Sequence, residues 1–115
     1  MSTIRVIVVP VGGDLLRYEE VEPTMEGLKP LLDGGWLEVI GGDNWSAYLD
    51  EEGKIKGLPV NGRATRLAHH LGWRGMQGDV LCGPVIFLGP PDEEGEDTSV
   101  PDHVRVIATA LGICG

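Results

Sequence analysis

Aromatic residues are scarce in this sequence: three Trp, two Tyr and one Phe among 115 residues. The core must therefore be mainly aliphatic, built from Val, Leu and Ile. Cysteine is sparse too. Cys82 and Cys114 are most simply reduced thiols of a cytoplasmic protein. Basic residues number nine against 18 acids, for a net charge of −9. That balance speaks against direct nucleic-acid binding, because a phosphate backbone is met by Lys and Arg. No apolar run approaches the roughly 18 residues of a membrane helix. The short run Val6 to Val9 has no cleavage site after it, so no signal peptide is expected. No repeat or linker divides the chain, and residues 1–115 read as one domain.

Catalytic and metal-binding patterns are also missing. His69 and His70 are adjacent, so on a helix they point about 100° apart and do not readily share a metal. No CxxC or HxxxH spacing occurs. Cys82 could be a nucleophile beside one of these histidines, but it lies in an apolar run, where a cysteine is usually a small hydrophobe. The pairs Gly12-Gly13, Gly34-Gly35 and Gly41-Gly42 match no phosphate-loop pattern and read as turns. Asp50-Glu51-Glu52 and the acids of Asp92 to Asp97 lack calcium-loop spacing. We expect no cofactor and no metal.

What is present is a β-rich chain with helical interludes. Thr3 to Val9 is rich in β-branched residues and apolar on both faces, which predicts a central strand ended by Pro10. Val11 to Asp14 is a turn, and Leu15 to Val21 a second strand. Pro23-Thr24 opens a helix from Met25 to Leu32, although Pro30 removes a helical hydrogen bond. Gly34-Gly35 stops it. Trp36 to Ile40 and Trp45 to Leu49 form a hairpin around Gly41 to Asn44. Asp79 to Leu88 is a long strand that Gly83-Pro84 interrupts. Pro101 opens a last helix from Asp102 to Leu111, with Val104, Ile107, Ala108 and Leu111 facing inward.

The stretch Asp50 to Leu71 organises the rest. A turn closes at Gly53, and Lys54-Ile55-Lys56 alternates as a return strand. Pro59 ends that strand. Asn61 caps a helix whose Ala64, Leu67, Ala68 and Leu71 share one face. Gly72 stops the helix. The fold class is α+β: one curved, mainly antiparallel sheet of about five strands with two or three helices packed on it.

Charge is unevenly spread. No acid occurs between Gly53 and Gly78, yet Lys54, Lys56, Arg63, Arg66 and Arg74 all lie there. Asp92 to Asp97 is the reverse, five acids in six positions, and reads as a solvated loop. Lys54, Lys56, Asn61, Arg63, Arg66 and His70 therefore form the candidate binding face, next to a helix N-terminus that favours anions. The plainer reading is that these charges are solvated, or paired with the acidic loop. Trp36, Trp45 and Trp73 could extend the face or fill the core.

Three segments carry a family resemblance across nearly the whole chain. They are Gly34 to Val39, Asp50 to Asn61 with Ala64-Thr65, and Gly78 to Pro84; the tail Asp92 to Thr98 fits as well. The chain resembles the domain of unknown function numbered 3846, found in actinobacteria and often in their bacteriophages. The resemblance implies a phage or mobile-element origin and a role in a bacterial host, with no activity or catalytic residue to transfer. The leading expectation is a small non-enzymatic binding protein in the host cytoplasm. Its partner would be a host protein or an anionic small molecule, and a homodimer is open. The alternatives are a sequestering protein for a nucleotide defence signal, a nucleic-acid mimic using the acidic loop, and a Cys82-dependent enzyme.

Overall fold

The computed structural model describes residues 3–12, 16–32, 37–50, 57–73 and 80–111. Five strands, β1 (Ile4–Val9), β2 (Arg17–Val21), β3 (Leu37–Gly42), β4 (Trp45–Asp50) and β5 (Val85–Leu88), form one antiparallel sheet in the order β2-β1-β5-β4-β3. Among the described residues three helices accompany it: α1 (Met25–Leu28), which continues as a 3-10 turn over Lys29–Leu32, α2 (Gly62–His70) and α3 (Asp102–Ala110). The α+β reading holds.

The apolar run of β1 explains the layering. Its residues alternate between faces, and both faces are covered. Ile7 and Val9 join Ala47, Val85 and Phe87 beneath Ala64, Leu67 and Ala68 of α2 and Val104 and Ala108 of α3. Val6 and Val8 join Ile86 and Leu88 beneath Leu28 and Leu32 on the opposite face. β1 is interior, as expected, although the middle position belongs to β5.

Four boundaries differ from the sequence reading. Gly41 and Gly42, expected in the hairpin loop, are the last residues of β3 and pair with Ser46 and Trp45. The helix expected over Met25 to Leu32 changes to 3-10 geometry after Leu28, because Pro30 has no N–H and its ring crowds the preceding turn. The described part of the strand expected over Asp79 to Leu88, from Val80 on, is in the sheet only from Val85. Gly83 takes φ +79°, Pro84 cannot donate to a ladder, and Cys82 makes only an isolated bridge to Val60. Pro101 caps α3 from outside rather than serving as its first residue. The expected return strand Lys54 to Lys56, the stop at Gly34-Gly35, Trp36 and Cys114 lie outside the described residues.

Helix α2 is pinned at both ends. At its start the Asn61 Oδ1 accepts from the Ala64 N–H at 3.0 Å. At its end Gly72, at φ +96°, and Trp73 turn their N–H groups back to His69 and Ala68. The Trp45 indole N–H then donates to the Leu71 carbonyl at 3.0 Å, while its ring stacks on Phe87 with centroids 6.0 Å apart.

Candidate functional site

The pinned helix fixes where each expected binding residue falls. Arg63, Arg66 and His70 follow one another at i, i+3 and i+7, so they form one stripe along α2. Beside it the buried Ala64, Leu67 and Ala68 face the core. Arg66 and His70 are exposed and Arg63 half-buried. Lys54 and Lys56 lie outside the described residues.

Asn61 sits beneath this stripe and not on it. It is 2% exposed. Its side-chain amide donates to the Val9 carbonyl at 2.8 Å and the Gly83 carbonyl at 3.0 Å. With the acceptor on Ala64 N–H, its polar capacity is spent inside the protein. The Thr65 N–H is also taken, by the Asn61 carbonyl. Two N–H groups of the first turn of α2, those of Ala64 and Thr65, are thus satisfied from within by Asn61.

The pairing of the arginines separates them. Arg5 contacts Glu20 at 3.5 Å, Arg17 contacts Glu19 at 2.9 Å, and Arg105 contacts Asp102 at 3.1 Å. Arg63 instead donates to the Pro10 carbonyl at 2.7 Å, which orients the guanidinium without neutralising it. Among the described residues neither Arg63 nor Arg66 has a carboxylate partner.

The acidic loop does not supply one. The Tyr48 hydroxyl donates to Asp97, 3.0 Å from Oδ1, and Tyr48 packs on the α1 side of the sheet, opposite α2. Burial pushes the Tyr48 phenol up to about 12, aided by the Asp97 charge and hydrogen bond. Within the loop the Asp92 carboxylate accepts from the Glu94 and Glu96 N–H groups, both at 2.9 Å. The loop is an ordered, solvated turn held across the sheet from the stripe.

The structure adds a feature the sequence reading passed over. His70 opens onto a groove of about 250 Å³ that Asp43, Asn44 and His103 also line. The β3–β4 turn and the start of α3 meet the end of α2 there. The loop Gly41 to Asn44 was legible as a hairpin connection, but nothing local placed Asp43 and Asn44 beside His103. Among the described residues no cluster of three potential ligands could hold a metal. Cys82 is buried at the start of α2, paired with Val60. His69 lies on the last turn of α2, which rises roughly 12 Å from Gly62 to His70 at 1.5 Å per residue. His69 instead packs edge-on against Trp73 at 5.3 Å. Among the described residues no helix is long and apolar enough to cross a membrane.

Comparison with known proteins agrees with the sequence resemblance. No curated protein and no solved structure matches the chain. The model of one family, described as domain of unknown function (DUF3846), matches residues 4–111, and the chain therefore belongs to that family.

Proposed function

We propose that this is a small non-enzymatic binding protein that captures an anionic group on the α2 stripe. The group would be carried by a small molecule or by a host protein, and the protein would serve as an accessory factor of a phage or mobile element. One observation carries this reading. In a chain with 18 acids and nine bases, Arg63 and Arg66 stand one helical turn apart without a carboxylate partner among the described residues. Opposite charges are abundant, so a cation left unpaired on a rigid helix is available to an external anion. Arg63 is pre-oriented by the Pro10 carbonyl, and His70 adds a donor one turn beyond Arg66.

The test is native mass spectrometry of the protein purified gently from a bacterial host. The expected result is a retained anionic mass or partner that Arg66→Glu releases. Losing a charge-assisted hydrogen bond should weaken capture by roughly 10- to 100-fold. The thermal midpoint should not move, because Arg66 is exposed. Undiminished capture by the Arg63→Glu, Arg66→Glu double variant would exclude the stripe.

A further inference from the structure

The two edges of the sheet are built differently. β2 carries Arg17, Glu19 and Glu20, with Arg17 on Glu19 and Glu20 on Arg5. Such charged side chains discourage edge-to-edge pairing. β3 has no such protection. Its sequence Leu37-Glu38-Val39-Ile40-Gly41-Gly42 holds one charge, no Pro and no Lys, and its register with β4 runs without a bulge from Leu37 to Gly42. Among the described residues nothing pairs with its outer side, and Val39 is 58% exposed.

We propose that a second copy of this chain docks on the outer edge of β3, antiparallel and two-fold, to continue the sheet. Symmetry restricts the register. A two-fold axis normal to the sheet keeps each residue on its own face, so facing residues must share parity. Two registers, centred on Val39 and on Ile40, then pair five of the six strand residues, and one centred on Glu38 pairs three. Centring on Glu38 sets one carboxylate against another, which is unfavourable. Centring on Ile40 sets Val39 against Gly41 and leaves it unpacked. Centring on Val39 sets Val39 against Val39, Glu38 against Ile40 and Leu37 against Gly41. This last register faces no like charges and covers the exposed Val39.

Sedimentation velocity of the full chain, over a concentration series reaching millimolar, tests the proposal. A dimer is expected. It should tighten as salt rises, since each copy carries −9 and salt screens their repulsion. Val39→Lys should leave a monomer, and Val106→Lys, which removes an exposed Val on α3, should leave the dimer intact. Val39→Cys in a Cys114→Ser background should cross-link to itself on oxidation, because facing Cβ atoms lie about 4.5–5.5 Å apart. A monomer throughout the series would overturn the proposal and leave the edge to an extended segment of another protein. A dimer that Val39→Lys spares, or that Val106→Lys breaks, would overturn it equally.

Discussion

Tyr48 shows how one side chain joins two regions that share no sequence. Its hydroxyl ties the acidic loop to β4 through Asp97, and its phenol is pushed from 10.0 to about 12, first by burial. The shift is upward, so the neutral phenol is the form the fold favours. Below pH 10 both states keep the proton, and the stabilisation is complete. Between pH 10 and 12 the unfolded chain loses its proton first, and stability falls as pH rises. Urea midpoints at pH 9 and pH 11 should therefore drop more for the wild type than for Tyr48→Phe. Equal drops would mean that another group drives alkaline unfolding. The sequence showed the acids of this loop and their exposure. It did not show the tether, because Tyr48 and Asp97 are 49 positions apart.

At the scale of elements, α2 was the most legible part of the chain. Its cap, inner face and stop residue are all local: Asn61, the 64/67/68/71 spacing and Gly72. Helix periodicity and capping depend on neighbours within four residues, so a sequence can display them. The second role of Asn61 is not local. Its amide joins the end of β1 to the segment before β5 through the carbonyls of Val9 and Gly83. Asn61→Ala should strip both carbonyls and the cap, and cost about 3 kcal/mol in urea denaturation. Asn61→Asp keeps the cap acceptor but turns a carboxylate toward two carbonyls. It should also be destabilised at neutral pH, with partial recovery in acid as the carboxyl gains a proton to donate. An Asp variant as stable as the wild type at neutral pH would reduce Asn61 to a simple cap. The same distinction governs the candidate face. The arginine stripe followed from helical spacing, whereas the burial of Asn61 and the Pro10 carbonyl on Arg63 came from strands folded far along the chain.

For the whole molecule, one sheet walls two cores. β1, β4 and β5 send alternate residues to the α2–α3 side and to the α1 side. Neither core can be lost while the other keeps its wall. Leu32→Ala on one side and Leu67→Ala on the other should each cost about 2–5 kcal/mol, since both residues are buried. Each variant should unfold in a single transition that coincides by tryptophan emission and far-UV circular dichroism. A Leu32→Ala variant whose two transitions separate would mean that the cores unfold independently.

What the sequence by itself determined is what local chemistry encodes. The β-branched run of β1, a hairpin loop within Gly41 to Asn44, the capped amphipathic α2 and the helix after Pro101 all follow from side-chain shape and spacing over a few residues. Their sum was enough to name an α+β class. Tertiary structure decided the strand order β2-β1-β5-β4-β3, which brings β5 between β1 and β4. It set the acidic loop across the sheet from the arginine stripe, and left β2 and β3 at the edges. These outcomes depend on which apolar faces bury one another. That choice is made by the packing of distant segments, and no window of the sequence contains it.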